Sequence, residues 1–350
     1  MAVKYEEMSC SRVLDSYGIL DTRGWTRHCF DPYVNCGFNC VYCNSGIKRR
    51  EESREVTVPV YAKTNAPQVL DRELSMLRRR GVVSMGVATD IYQQAEEKFK
   101  VTRQVLEVLK KHKVPFSLGT KSDLILRDLD VICEAAQDSW CHISLSIGTL
   151  DEKLAKLLEP DAPSPRRRLE AVRRLSDEGL MVGIWLCPIL PYISDTEESL
   201  AEVIEAGVDN GARFVLGGSL DMRNPELFER FLQGNFPNLV SKYKKLFHWT
   251  NNAPNWYPDE YYLYGWFTKF IDMCQKCHVE SYIPHFHTRK QAWLFYLRNF
   301  AKFEGSPAFE ATQLLNYLTP TKELLQIVNL KSRNRALSKG LLKMLRYYPH

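Results

Sequence analysis

Cys36-Gly-Phe-Asn-Cys40-Val-Tyr-Cys43 places three thiols within eight residues, at spacings of four and three. Thiolates at that spacing can all turn inward from one short loop and grip three irons of a cubane. Four protein ligands would close such a cluster. Three leave one iron bare, and a bare iron binds a small molecule. Zinc is the competing reading, but zinc sites usually pair two C-x2-C elements or add His. This loop holds one C-x2-C, and His28 lies upstream in no zinc-like spacing. A ferredoxin-like site is the other alternative. Disulfide frameworks belong to small secreted chains, and ten cysteines scattered over 350 residues do not fit that pattern.

The chain is 45% hydrophobic, enough for one large α/β domain or a domain with a substantial appendage. No run of eighteen apolar residues is present, so no membrane span is expected. Met1 to Met8 carries Glu6 and Glu7 and no apolar stretch, unlike a signal peptide. Free thiols and a labile cluster suit a reducing interior, so a cytoplasmic location is expected. The net charge of +5 is concentrated at one end. Lys322 to His350 holds seven basic side chains against Glu323 alone. That tail could contact nucleic-acid phosphates, form an amphipathic basic helix with Leu337, Leu341 and Leu345, or simply be a solvated terminal helix.

Short apolar runs alternate with amphipathic segments from the Cys loop onward. The pattern predicts strands at Val83–Thr89, Pro115–Lys121, Cys141–Ile147, Met181–Pro188 and Ala212–Leu216, with a first strand ending just before Cys36. Helices are predicted at Pro67–Arg80, Val101–His112, Leu124–Gln137, Ser164–Glu178 and Thr196–Asn210. Gly81, Gly179 and Gly211 follow helix ends, where left-handed caps are expected. Six βα units of this kind make a parallel sheet, with function gathered where the strands end. From Trp249 to Phe303 the chain is unusually aromatic, a helical region expected to close the open side with mostly buried rings.

The Cys loop resembles the radical S-adenosylmethionine (radical SAM) signature, C-x3-C-x-aromatic-C, with Tyr42 in the aromatic slot. Further phrases resemble the spore photoproduct lyase-like branch. These are Asp31-Pro-Tyr-Val-Asn-Cys36, Ala88-Thr-Asp90, Thr120-Lys-Ser122, Ser144-Leu-Ser-Ile-Gly-Thr-Leu-Asp151, Leu158-Glu-Pro160, Ser164-Pro-Arg-Arg-Arg-Leu-Glu170 and Cys187-Pro-Ile-Leu-Pro191. The resemblance spans residues 29 to 285. It implies an α/β fold, a partial (β/α)6 TIM-like barrel over 29–223, after an extension at 1–28 and before a helical, aromatic-rich cap at 224–320 and the basic tail at 321–350.

The resemblance implies an enzyme with a 4Fe-4S cluster held by Cys36, Cys40 and Cys43 and closed by S-adenosylmethionine. Reductive cleavage then gives a 5′-deoxyadenosyl radical that abstracts hydrogen from a substrate, the electron coming from a donor such as flavodoxin or ferredoxin. It places Thr89 and Asp90 near the methionine moiety, Lys121 and Ser122 near its carboxylate or the ribose, Ser144 against the cofactor, and Tyr42 beside the adenine. Plainer roles stand beside these: Thr89 and Asp90 as a helix cap, Lys121 as a solvated lysine, Tyr42 as a shield for the cluster.

Spore photoproduct lyase carries a hydrogen-donating Cys on its second strand, whereas this chain has no Cys between Cys43 and Cys133. Cys187 is the candidate stand-in, with burial in the core as its alternative. Cys274 and Cys277, with His278, His285 and His287, raise the question of a second metal. Expected substrates are a nucleobase or nucleic-acid lesion, or else a small metabolite or peptide. A non-catalytic iron–sulfur protein is the third reading.

Overall fold

The computed structural model describes residues 3–16, 28–43, 45–46, 48–51, 54–77, 81–222, 225–249, 257–281 and 283. Six parallel strands lie side by side in chain order: β1 (His28–Cys29), β2 (Val83–Met85), β3 (Phe116–Thr120), β4 (Cys141–Ser146), β5 (Val182–Ile189) and β6 (Val215–Ser219). Asp15–Ser16 adds an antiparallel edge to β1. Every residue of β3 and β4 is buried, as in a parallel sheet covered on both faces.

Five helices cross between successive strands: α1 (Ala66–Met76), α2 (Val101–Lys111), α3 (Leu129–Asp138), α4 (Pro165–Asp177) and α5 (Glu197–Asp209). In α2 the buried residues Val101, Val105 and Leu109 recur at a spacing of four, which makes one apolar stripe. Ser164 opens α4 by accepting the Arg167 N–H, with Pro165 in the first turn, and Thr196 caps α5 in the same way.

Several predicted boundaries move. The strand at Val83 stops at Met85 instead of reaching Thr89, because the chain turns at Gly86, whose φ is +80°. A strand does end just before Cys36, Tyr33–Val34, but it belongs to a separate sheet with Val60–Lys63 and Tyr5–Met8. The predicted helix from Leu124 begins instead as a 3-10 turn over Asp123–Asp128. Gly179 and Gly211 hold the expected left-handed conformation. Gly81 does not cap a helix, since α1 ends at Met76 and Leu77 is extended. The edge strand starts at Val215 rather than Ala212, and Phe214 bridges to Glu280.

Inward-facing side chains form layers. Gly86, Gly119 and Gly183 are positions where rings or backbone from neighbouring strands come close. A Cβ on Gly183 would meet the Phe214 ring at 2.5 Å, and one on Gly119 would meet the Trp185 ring at 3.5 Å. Phe214, Leu216, Trp140, Met181 and Trp185 thus fill the barrel interior.

Helices Pro225–Asn235 and Val240–Leu246 pack Phe228, Phe231, Leu232, Tyr243 and Phe247 against Leu158, Leu190 and Leu220, at the C-terminal ends of the strands, and against Val41 and Tyr42. Helix Glu260–Lys276 lays Trp266 and Phe270 over Gly217 on the outer side of β6. Most described aromatics of this region are therefore core, whereas Tyr261 is exposed. Trp256, Tyr282, Phe286 and the basic tail 321–350 lie outside the described residues.

Two glycines test the packing. A Cβ at Gly86 would sit 1.9 Å from the Gly119 carbonyl oxygen, whereas one at Gly179 meets nothing within 4 Å. Gly86→Ala should lower unfolding free energy by about 3 kcal/mol or more, and Gly179→Ala by about 1 kcal/mol. Urea titrations of both variants measure the difference.

Candidate active site

A cavity of about 560 Å³ opens at the C-terminal ends of the strands. Cys36, Cys40 and Cys43 line it together with Tyr42, Thr89, Asp90, Lys121, Ser146, Trp185, Cys187, Ser219, Asp221 and Tyr257. Five of the candidate residues outside the thiol triad therefore share its wall: Tyr42, Thr89, Asp90, Lys121 and Cys187. Ser122 and Ser144 are not among its lining residues. Ser122 instead caps the 3-10 turn by accepting the Leu124 N–H. Ser144 is buried in β4 opposite Gly183, one inward layer below Ser146.

The Cys loop is fastened on both sides. Its Gly37 N–H donates to Gln93 Oε1 at 2.8 Å, and Gln93 Nε2 donates to Asn35 O and Asp90 O. Val41 N–H donates to Leu158 O at 2.9 Å, and Asn39 Nδ2 to Asp161 Oδ2 at 2.7 Å. Asn35 and Asn39 take left-handed φ values of 65° and 54°, which Asn tolerates better than most residues. Cys36 and Cys40 are buried, each 6% exposed, and pack with Phe38. Burial, with Asp90 nearby, pushes the Cys36 thiol up to about 12. Burial likewise raises Cys40, against the pull of Lys121. Thiolates at these positions need a positive partner, which a metal cluster supplies.

Sequence reasoning overlooked the residue that shapes the second loop. Asp31 accepts four consecutive backbone N–H groups, from Gly86, Val87, Ala88 and Thr89, at 2.7–3.1 Å. Its signal was an Asp two residues past the end of β1, followed by Pro32. Gln93 gave no sequence signal. Thr89 turns its hydroxyl to Tyr33 O, and Asp90 accepts from Thr120 Oγ1, Lys121 N and Tyr92 N. Burial raises the Asp90 carboxyl, opposed first by the Thr120 hydroxyl. The fold therefore uses both side chains.

Lys121 is different. Its Nζ lies 3.9 Å from Glu159 Oε1 and 5.8 Å from the centre of the Tyr42 ring. Burial alone would lower it, but Glu159 and then Cys40 hold it raised, and so protonated. Glu159 is engaged more tightly elsewhere. It accepts from the Tyr42 hydroxyl and pairs with Arg168 Nη2 at 2.5 Å. Burial would raise Glu159, yet Arg168 and Lys121 bring it below its ordinary value. Arg168, 1% exposed, also donates to Ser146 O and Pro163 O. This buried pair joins the Cys loop, through Tyr42, to the end of β4.

Among the described residues no three His, Cys, Asp or Glu side chains converge closely enough for a single metal ion. Cys274 is buried in helix Glu260–Lys276, Cys277 is its C-cap, and His285 and His287 lie outside the described residues.

The radical SAM superfamily profile matches residues 31–206, and the chain belongs to that superfamily. It is an enzyme of a family that uses a 4Fe-4S cluster and S-adenosylmethionine for radical chemistry and draws an electron from a donor. An uncharacterized protein of Mycobacterium tuberculosis is 29% identical over 228 residues, covering 63% of this chain and 67% of that one. An uncharacterized protein of Methanocaldococcus jannaschii is 26% identical over 212 residues, covering 60% and 77%. In three dimensions the fold is similar to a spore photoproduct lyase mutant, with TM-score 0.58 at 12% identity, covering 78% of this chain and 79% of that one. It is also similar to a double mutant of that lyase with bound AdoMet and dinucleoside spore photoproduct, with TM-score 0.56 at 15% identity, covering 80% and 79%. No described helix is long and apolar enough to cross a membrane.

Removing Arg168 takes from the buried Glu159 its closest cation and leaves only the longer contact with Lys121. Arg168→Met should cost about 3–5 kcal/mol, and Arg168→Met combined with Glu159→Leu should recover much of that loss. Thermal unfolding of both variants tests this. Equal stability of the two would remove the pairing argument.

Proposed function

We propose that Cys36, Cys40 and Cys43 hold the 4Fe-4S cluster with one iron left to S-adenosylmethionine, and that the enzyme abstracts hydrogen from a substrate bound in the same cavity. The observation that carries this reading is the convergence of three thiols, Lys121 and Cys187 on one cavity at the strand ends. The cluster and S-adenosylmethionine, when bound, supply a 5′-deoxyadenosyl radical. Lys121 is the cation for the cofactor's carboxylate, because its contact with Glu159 is long while Glu159 has closer partners. Tyr42, tied to Glu159, shields the thiols and stiffens the loop.

Cys187 returns hydrogen to the substrate radical. Its Sγ–H bond breaks as the new C–H bond forms, and the thiyl left behind takes one electron and one proton from the external reductant. The thiol is only partly buried and lines the cavity, which distinguishes it from the core cysteines Cys141 and Cys274. Trp185 and Tyr257 give the cavity aromatic walls. A nucleobase substrate draws support from these rings and from the dinucleoside bound by the structurally similar lyase.

Anaerobic reconstitution tests the reading. The wild-type chain should take up about four irons and four sulfides and form 5′-deoxyadenosine with dithionite and S-adenosylmethionine. Replacing any one of Cys36, Cys40 and Cys43 by Ala should abolish both. Zinc in place of iron, or a cluster with a fourth protein ligand, would refute the assignment. Cys187→Ala should keep the cluster and cleave S-adenosylmethionine while failing to complete turnover. Wild-type turnover in that variant removes the thiol from the mechanism.

A further inference from the structure

The three thiols of the Cys loop are met by different partners. Burial raises the Cys36 thiol, and against it the backbone N–H groups of Phe38 and Asp90 hydrogen-bond the sulfur. Cys43 Sγ accepts the Ser45 N–H at 3.3 Å. Cys40, raised by burial, feels the charge of Lys121. Phe38 and Ser45 belong to the chain around the thiols themselves. Asp90 belongs to a different loop, the one that follows β2. Its N–H meets the Cys36 sulfur only if the two loops are held in register.

Gln93 holds them. It is 0% exposed, and both ends of its amide are engaged. Its Oε1 accepts the Gly37 N–H at 2.8 Å, and its Nε2 donates to Asn35 O at 3.0 Å and to Asp90 O at 3.1 Å. A buried amide bonded through its oxygen and through both of its N–H groups has a fixed orientation. Asn35 and Gly37 flank Cys36, so Gln93 grips the chain immediately before and after the first thiol. Its third bond goes to the residue whose N–H meets that thiol. Asp90 is further locked through its carboxylate, which accepts from Thr120 Oγ1, Lys121 N and Tyr92 N.

Other ties of the Cys loop act elsewhere. Asn39 Nδ2 donates to Asp161 Oδ2 and Val41 N–H to Leu158 O, both on the opposite flank. Gln94, next along from Gln93, donates to Asp161 O at 2.9 Å and serves that flank too. None of these bonds reaches Asp90. Gln93 itself is absent from the residues that line the cavity.

Hydrogen bonds to the sulfurs of an iron–sulfur cluster are one of the levers on its reduction potential. An N–H dipole aimed at a ligating sulfur stabilises the added electron, so each such bond eases reduction. We propose that Gln93 is a positioning residue for the cluster ligand Cys36, fixing the Phe38 and Asp90 N–H groups on its sulfur and so keeping the cluster reducible by the electron donor. This rests on the cluster assignment made above. It adds a control on the potential that is exerted from outside the cavity.

The test uses the full-length chain with its cluster reconstituted anaerobically, in a redox titration followed by the electron paramagnetic resonance of the reduced cluster. Gln93→Met removes all three hydrogen bonds with little change of volume. It should still load about four irons, with an equilibrium constant for reduction about tenfold smaller, a midpoint about 59 mV more negative. Gln93→Glu keeps the outline and an acceptor for Gly37 but turns an oxygen toward the Asn35 and Asp90 carbonyls, and should move the midpoint in the same direction. Asn39→Gly is the control for loosening alone. It accepts the left-handed φ of 54° and drops the bond to Asp161, and its equilibrium constant should stay within about twofold of wild type.

A wild-type midpoint in Gln93→Met or Gln93→Glu overturns the proposal. An equal shift in Asn39→Gly also overturns it, because general loosening would then account for the change. Failure of both Gln93 variants to hold iron assigns the side chain to folding of the loop and overturns the tuning role. Iron and sulfide content of the wild type is measured before any titration. A wild type without a cubane refutes the cluster assignment itself, so the two failures give different results.

Discussion

Four peptide N–H groups in a row converge on one carboxylate, that of Asp31. A run of backbone donors bending around an anion is a strong local constraint, because each donor would otherwise need water or another partner. Here it fixes where β2 ends and how the chain continues. With the Gly86–Thr89 turn pinned, Asp90 arrives beside the end of β3 and joins Thr120 and Lys121. Gln93 then reaches back to Gly37 in the Cys loop. The path from β1 to the thiols is thus set by a side chain that lies outside the cavity lining.

The opposite flank of the Cys loop is held by a different device. Glu159 and Arg168 form a buried ion pair whose remaining atoms reach Tyr42, Ser146 and Pro163. Buried pairs contribute little net stability compared with apolar packing, but they specify geometry, since each partner must be met from particular directions. The pair also leaves Lys121 held at a distance, charged and facing the cavity. One flank relies on neutral backbone donors, the other on formal charges, and the thiol loop is clamped between them.

Much of this was legible beforehand. Three cysteines at fixed spacing mark the loop that lines the cavity, and the apolar stripe of α2 or the Ser164-Pro165 start of α4 identifies helices by simple periodicity and capping. Five of the six parallel strands followed from the alternation, whereas β1 lies earlier than the strand expected before Cys36. Other features could not be read. Asp31 and Gln93 act through contacts more than fifty residues away, and neither belongs to a local pattern. The early end of β2 depends on the same long-range bonds. Ser144 was expected at the cofactor because its type and strand were right, but one turn of the pleat separates it from Ser146 at the cavity wall. Strand alternation shows which face a residue takes and leaves its depth undefined.

The layering of the barrel decides that depth. Glycines at positions 86, 119 and 183 would by themselves leave a shaft running down the centre of the sheet, yet the rings of Trp185 and Phe214 lie across it. The bare glycine positions are thus filled from neighbouring strands, so that large rings on β5 and just before β6 occupy the space that small residues on β3 and β5 leave.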